Sequence, residues 1–78
     1  MNQALLVIDA QQELIEGNEG EQAVFQKDRL IENINRVIQN ATEAGAHLVF
    51  IRDKDVGGGE GDGFQVHKDI HVPDNSAV

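Results

Sequence analysis

Residues 30–55 have the sequence LIENINRVIQNATEAGAHLVFIRDKD, and this stretch decides the fold. Apolar side chains recur in its first part at spacings of one, three and four residues, which is typical of an amphipathic helix with one buried side. They are Leu30, Ile31, Ile34, Val37, Ile38 and Ala41. With Asp28 as the N-cap and Gly45 as the stop, the predicted helix covers about residues 28–44. The apolar run AHLVFI that follows predicts a buried strand over about residues 46–52.

A second apolar run, ALLVI at residues 4–8, lies before the helix and ends at Asp9. Its consecutive apolar residues favour a parallel strand that is buried on both faces, over about residues 4–9. A polar loop of residues 11–26 leads from this strand to the helix. Strand, helix and strand in this order predict a right-handed crossover and a parallel sheet. The fold class is therefore α/β, the N-terminal β-α-β part of a doubly wound, Rossmann-like sheet flanked by helices.

This β-α-β unit is expected to be incomplete on its own. Two strands make a narrow sheet, and one helix covers only one of its faces. The chain has 78 residues and no cysteine, so neither disulfides nor thiolate metal sites can compensate for a thin core. We therefore expect residues 1–78 to be the N-terminal fragment of a single domain. The remainder of the same domain, a companion polypeptide or a homo-oligomer would complete it.

The charge of the chain excludes several classes of partner. Six Lys and Arg residues against fourteen Asp and Glu residues give a formal net charge of −8. Such a chain is repelled by nucleic acids and by anionic membrane surfaces. The longest apolar run covers only residues 4–8, whereas a membrane-spanning helix needs about 20 residues, and no signal peptide is present. The sequence predicts a cytoplasmic protein with no nucleic-acid or membrane partner.

Carboxylates follow both predicted strands. Asp9 ends the first strand, and Asp53 and Asp55 come directly after the second. Because ligands bind beyond the carboxyl ends of parallel strands, these residues mark the edge at which a functional site is expected. Position alone leaves two interpretations of Asp9 open. It is either a functional carboxylate or a residue that caps the following turn through its side chain.

Several stretches taken together resemble a known family. ALLVIDAQQEL at residues 4–14, the stretch at residues 30–55 and FQVHKDI at residues 64–70 are similar in order and spacing to the N-terminal part of the isochorismatase-like cysteine hydrolases. That family typically opens with a strand of the form ALLVIDMQNDF, followed by a long helix that ends in AG and a strand of the form VV(F/Y)(V/I)R. The resemblance covers nearly the whole chain.

The resemblance implies a catalytic triad of Asp, Lys and Cys that acts on a small-molecule substrate, such as an amide or a vinyl ether, without a cofactor. Asp9 matches the aspartate, which acts as the base that helps to generate the thiolate; the cysteine attacks the substrate and the lysine holds the charges in place. Gln11 and Leu14 match a loop-orienting and a pocket-lining position, respectively. His67 is expected to pack beside the mouth of the pocket.

Two members of this triad have no counterpart here. The sequence contains no cysteine, and Lys54 and Lys68 do not fall at the position of the family's lysine, which is expected just beyond an extended segment like residues 71–78. The chain alone is therefore expected to be inactive.

A nicotinamidase-like subset of the family binds a metal through an Asp-x-His sequence after the second strand and a further histidine. In this chain Asp53 matches the first ligand, Asp55 replaces the first histidine, and His67 or His71 is the candidate for the second. This set would suit Mn or Mg better than Zn, but exposed acids before a glycine-rich loop are usually just solvated. No metal is therefore assigned. His47, at the start of the second strand, is expected to be structural.

The glycine-rich loop at residues 57–63 matches neither a phosphate-binding loop nor a dinucleotide fingerprint. We interpret it as a flexible active-site loop or lid, and no cofactor is predicted.

Three functions follow. The leading hypothesis is the N-terminal part of an isochorismatase-like cysteine hydrolase. The alternatives are a non-catalytic partner that completes the sheet of another chain or of a copy of itself, and a metal-dependent, nicotinamidase-like amidohydrolase.

Overall fold

The computed structural model describes residues 3–17 and 22–78. Its elements are strand β1 (Ala4–Ile8), helix α1 (Gln12–Glu16), helix α2 (Lys27–Glu43), strand β2 (His47–Ile51), a 3₁₀ turn (Val56–Gly59) and helix α3 (Gly61–Phe64). The two strands pair in parallel and are connected through α2. The α/β class and the parallel β-α-β unit predicted from the sequence are confirmed. The predicted loop at residues 11–26 contains α1, and its residues 18–21 lie outside the described part of the chain.

The register of the sheet decides which side chains enter the core. Leu5 lies opposite Leu48 and Val7 lies opposite Phe50, so these four side chains share one face. Helix α2 covers this face, because its apolar stripe belongs to the same buried cluster. The cluster consists of Ala10, Ile15, Ile31, Ile38, Leu48, Phe50 and Ile70. The core is thus one layer of helix on one face of a narrow sheet.

The other face of the sheet is not buried, and the prediction of a strand buried on both faces is wrong for β1 within this chain. Leu6 is 52% exposed, Ile8 is 58% exposed and Ile51 on β2 is 41% exposed. The physical reason is that successive side chains of a strand point to opposite faces, while α2 packs on only one of them. His47 is exposed at the start of β2, at the end of the sheet opposite to Asp9.

Strand β2 has partners on both of its edges. On the edge away from β1, Val49 forms a parallel bridge with Ala77. The Phe50 N–H donates to the Ala77 carbonyl at 2.8 Å, and the Ala77 N–H donates to the Leu48 carbonyl at 3.0 Å. Within the described residues, no strand pairs with the outer edge of β1. The sheet is therefore open along β1.

The start of α2 differs from the predicted N-cap. The helix begins at Lys27, and the residue before it, Gln26, has a left-handed φ of 54°. The first helical bond runs from the Leu30 N–H to the Gln26 carbonyl at 3.0 Å. Asp28 therefore lies inside the first turn, where its carboxylate faces the positive end of the helix dipole instead of capping a free N–H.

The end of α2 is a Schellman motif at Gly45, as the stop at this glycine predicted. The Gly45 N–H donates to the Thr42 carbonyl at 3.1 Å, and the Ala46 N–H donates to the Ala41 carbonyl at 3.0 Å. Gly45 has a φ of 78°, which a residue with a Cβ atom adopts only at a cost. This motif turns the chain directly into β2.

The glycine-rich segment (residues 57–63) turns through left-handed backbone at several positions before it enters α3. Positive φ values occur at Gly57, Gly58, Gly59 and Gly61. Gly59 has a φ of 78°, and a Cβ atom at this position would lie 2.8 Å from the Lys54 carbonyl oxygen. Glycine is required there because no other residue fits this close backbone contact.

None of the helices in the described ranges is long and apolar enough to cross a membrane.

Gly45→Ala tests the Schellman motif. We expect the free energy of unfolding to fall by about 1 kcal/mol, because a left-handed φ is unfavourable for alanine. No atom lies within 4 Å of the added Cβ, so the cost is conformational and not steric. Gly45→Asn should lose less stability than Gly45→Ala, since asparagine tolerates the left-handed backbone region better than alanine does. Urea unfolding of the three proteins measures the order, and an alanine variant as stable as the glycine protein would contradict it.

Candidate functional site

Asp9 lies at the carboxyl end of β1, directly after the last residue of the strand. Its backbone has a left-handed φ of 59°, and its N–H donates to the Ile51 carbonyl at 2.9 Å. Asparagine and aspartate tolerate this conformation better than most residues, but it still carries strain. The hydrogen bond continues the sheet by one residue, and the change in φ then turns the chain away from it. The side chain of Asp9 is left exposed at the carboxyl edge of the sheet.

Helix α1 begins at Gln12, and its N-cap residue, Gln11, makes no side-chain cap hydrogen bond. Asp9 therefore lies outside the N-cap position of α1. Its two interpretations, a functional carboxylate and a side-chain cap of the following turn, stay predictions.

Asp9 borders an open apolar cavity of about 460 Å³. The cavity follows β1 along its length and is walled on the other side by α2, through residues such as Leu30, Ile34 and Val37. Asp9 and Asn33 are the polar residues in its wall. The cavity is the uncovered edge of the sheet, and Asp9 stands where this edge meets the carboxyl ends of the strands.

Gln11 is completely buried, and its amide group joins three segments. Its Nε2 donates to the Asp53 carbonyl at 3.1 Å and to the Phe64 carbonyl at 2.7 Å. Its Oε1 accepts from the Asp53 N–H at 2.8 Å. The polar atoms of this fully buried side chain are thus satisfied by backbone groups after β2 and in α3. This is the geometry that a loop-orienting residue requires.

The glycine-rich segment is attached to the same edge by two further side chains. Glu13 accepts the Gly57 N–H at 2.9 Å through Oε2. Arg52 donates to Oε1 of Gln65 at 2.6 Å, and its guanidinium lies 4.4 Å from the centre of the Phe64 ring. An arginine over an aromatic face is a favourable cation–π arrangement. The carboxyl edge is therefore covered from one side by an ordered segment.

Leu14 does not lie in the cavity that borders Asp9. It is 43% exposed on the outer side of α1, whereas its neighbour Ile15 is buried and lines the cavity. The periodicity of a helix explains this difference, since adjacent residues point about 100° apart. In the described residues, Ile15 and not Leu14 therefore lines the cavity that borders Asp9.

The metal candidates are not brought together. Asp53 uses its Oδ1 to accept the Asp55 N–H at 2.9 Å, which forms a local turn. His71 is exposed, and its N–H donates to the Oδ1 of Asn35 on α2 at 2.8 Å. Among residues 3–17 and 22–78, no group of three His, Asp or Glu side chains is placed to hold a metal ion. These residues therefore do not fit the metal site of the nicotinamidase-like subset, and no reaction step is assigned to a metal.

His67 lies in the interior instead of at a pocket mouth. Its side chain has no exposed surface, and its Nε2 lies 2.6 Å from Oε1 of Glu16. The other carboxylate oxygen of Glu16, Oε2, accepts from Nζ of Lys27 at 2.6 Å. We call these three side chains the Glu16 cluster. The ammonium of Lys27, and then His67, lower the pKa of Glu16 from 4.5 to about 2, and the same contact raises the pKa of Lys27.

Sequence reasoning missed the Glu16 cluster. Glu16 and Lys27 are ordinary charged residues in a polar stretch, and nothing in their spacing indicates that they meet. One weak signal was available. Lys27 directly precedes the predicted N-cap Asp28, so its ammonium is unfavourably close to the positive end of the helix dipole, which suggests an acidic partner elsewhere.

A family model described as Isochorismatase domain matches residues 3–78. The match covers almost the whole chain, including every residue of the site described above. No curated protein and no solved structure matches the chain significantly. The resemblance inferred from the sequence is thus confirmed.

Gln11→Glu tests the buried amide. A carboxylate has no N–H to donate to the carbonyls of Asp53 and Phe64, so we expect the free energy of unfolding to fall by about 2 kcal/mol or more. Gln12→Glu is the matched control, because Oε1 of Gln12 only accepts the Lys68 N–H at 3.1 Å, and a carboxylate can still do so. Urea unfolding measures both variants. Equal losses in the two proteins would contradict the role of the Gln11 amide.

The lowered pKa of Glu16 predicts a pH dependence of stability. Because the folded pKa lies below the unfolded value, ionised Glu16 stabilises the fold above about pH 4.5, and this contribution is lost as the pH falls toward 2. The difference in melting temperature between the protein and Glu16→Gln should therefore be largest above about pH 5 and shrink toward zero near pH 2. Glu32→Gln, at an exposed surface pair, should show no such change. A constant difference for Glu16→Gln would contradict the assignment.

Proposed function

We propose, from the premise that this chain belongs to the isochorismatase family, that it forms the Asp9-bearing part of a cysteine hydrolase that acts on a small molecule. The observation that supports the proposal most directly is the place of Asp9. Within a family match over residues 3–78, a carboxylate stands exposed at the carboxyl end of a parallel strand, where this fold class binds its ligands.

Asp9 would act as the acid and base of the reaction. An ionised carboxylate there can accept the proton of a thiol, which leaves a thiolate able to attack a carbonyl or related carbon. The same carboxyl group can return the proton to the leaving group. The side-chain amide of Gln11, two residues after Asp9, is hydrogen-bonded to the backbone of Asp53. The loop that carries Asp9 is therefore fixed relative to both strands.

The nucleophile and the lysine would come from a segment outside these 78 residues, since the chain contains no cysteine. That segment is either the remainder of the same domain or a companion polypeptide. The proposed substrate is an amide, a vinyl ether or a similar small molecule, and the proposed location is the cytoplasm. We propose that the 78-residue chain alone is inactive.

Asp9→Asn tests the role of Asp9 in the protein that unites this chain with the segments that carry the lysine and the cysteine. Loss of the acid and base should lower kcat by about 10²- to 10⁴-fold on a panel of small amides and vinyl ethers. Asp74→Asn, an exposed aspartate in a turn near the end of the chain, is the control and should keep its activity. Turnover by Asp9→Asn within a few fold of the parent would remove Asp9 from the mechanism.

Mass spectrometry of the intact sample tests the need for a second segment. A homogeneous species of 8.5 kDa, with no second polypeptide and with hydrolytic activity, would contradict the proposal.

The exposed apolar surface favours a second candidate function, that of a non-catalytic module that completes a sheet. Leu6, Ile8 and Ile51 form an uncovered apolar face, and the outer edge of β1 has no partner strand in the described residues. Such a face and edge are suited to association with another chain or with a second copy. Size-exclusion chromatography and circular dichroism distinguish the cases. A well-folded monomer would contradict both this candidate and the incomplete hydrolase.

A further inference from the structure

The Glu16 carboxylate lies where three separate segments meet. Glu16 is the last residue of α1, Lys27 is the first residue of α2, and His67 belongs to the turn after α3. Within residues 3–17 and 22–78, each carboxylate oxygen has one partner, at 2.6 Å in both cases. Charge-assisted bonds of this length are among the stronger hydrogen bonds in proteins. One side chain therefore ties together the end of α1, the start of α2 and the segment around residue 67.

The hydrogen bonds of His67 determine which ring nitrogen carries the proton. The Asp69 backbone N–H donates to Nδ1 of His67 at 3.0 Å. Since a backbone amide can only donate, Nδ1 is the acceptor and the proton of the neutral ring is on Nε2. The Nε2–H then donates to Glu16. Because both nitrogens are engaged and the side chain is fully buried, His67 acts as a linker and not as a ligand.

The backbone next to His67 holds the residues that follow Asp9. The His67 N–H donates to the Ala10 carbonyl at 2.9 Å, and the Gln12 N–H donates to the Gln65 carbonyl at 2.7 Å. Between these bonds, Gln11 and Val66 form an antiparallel bridge. The segment of residues 65–67 is therefore paired with residues 10–12. Whatever fixes His67 also fixes the chain immediately after Asp9.

This pairing opposes the strain at Asp9. A non-glycine residue with a φ of 59° persists only where its neighbours are held on both sides. The bond from the Asp9 N–H to Ile51 holds one side, and the bond from His67 to the Ala10 carbonyl holds the other. Loss of the hydrogen bond from the His67 N–H to the Ala10 carbonyl would release the chain on the C-terminal side of Asp9.

We infer that Glu16 is a positioning residue for Asp9. Glu16 acts through the neutral Nε2–H form of His67 and through the backbone pairing of residues 65–67 with residues 10–12. Its significance for catalysis rests on the proposed function of Asp9. The positioning itself is independent of that function, because it is read from backbone amides and not from turnover.

Amide hydrogen exchange tests the inference, followed by NMR on the ¹⁵N-labelled protein that unites this chain with the segments that complete the domain. In Glu16→Ala, exchange of the His67 and Gln12 amides should accelerate at least tenfold, because their bonds to residues 10 and 65 open locally. The Ile38 amide inside α2 should keep its rate, and the backbone chemical shifts of Asp9 should leave the left-handed range. Glu32→Ala, at a carboxylate that is 72% exposed, is the matched control and should leave the His67 and Gln12 amides unchanged.

Two substitutions of His67 distinguish the roles of its two ring nitrogens. They also test the inference if Glu16→Ala does not fold. His67→Gln places an amide N–H near the position of Nε2 and should keep the link to Glu16. His67→Asn places an oxygen near Nδ1, so it should keep the bond to Asp69 and lose Glu16. Faster exchange at Gln12 in His67→Asn, with near-normal exchange in His67→Gln, is the expected result. Ring ¹⁵N spectra of the unsubstituted protein should show the proton on Nε2.

Three results would overturn the inference: unchanged exchange at His67 and Gln12 in Glu16→Ala, equal acceleration at Ile38, or the reverse order of the two His67 variants. These outcomes are separate from a failure of the proposed function. If Asp9→Asn keeps its turnover in the completed protein, the proposed function fails, whereas the exchange result still decides whether Glu16 positions the Asp9 segment.

Discussion

The buried amide of Gln11 is the interaction on which the carboxyl edge of this molecule depends. It is bonded to the backbone after β2 and to the backbone of α3, over sequence separations of 42 and 53 residues. Parallel strands end at the same edge of a sheet, but they supply no bond of their own beyond their last residues. Gln11 provides that bond. The segment that carries Asp9, the turn after β2 and the glycine-rich segment therefore form one ordered surface.

A second constraint is that only one face of the sheet is buried. Helix α2 covers the face of Leu5 and Phe50, and the opposite face leaves Leu6 and Ile8 more than half exposed. An apolar surface of this kind is favourable only when something covers it. The same geometry leaves Asp9 open to solvent at the end of β1. Two gaps in the described residues account for these features: no layer covers the second face of the sheet, and no strand pairs with the outer edge of β1.

The elements that the sequence predicted correctly are those with local signals. The apolar stripe of α2 and the two apolar runs depend on residues within a few positions of one another, and Gly45 marks the helix end through its own backbone freedom. The N-cap of α2 was misplaced by two residues, at Asp28 instead of Gln26, since an aspartate suits a cap and a first turn almost equally. The left-handed turns of the glycine-rich segment could not be predicted in detail, because glycine is compatible with nearly every backbone conformation.

The sequence by itself determined the parallel β-α-β unit, the family, and the position of Asp9 at the end of an apolar strand. These follow from periodicity and from the order of motifs along the chain. Only the tertiary structure decided that Gln11 is fully buried, that Ile15 and not Leu14 lines the cavity, and that Glu16 meets Lys27 and His67. The reason is distance along the chain: Glu16 and His67 are 51 residues apart, and no local pattern records which polar side chains the fold brings into contact.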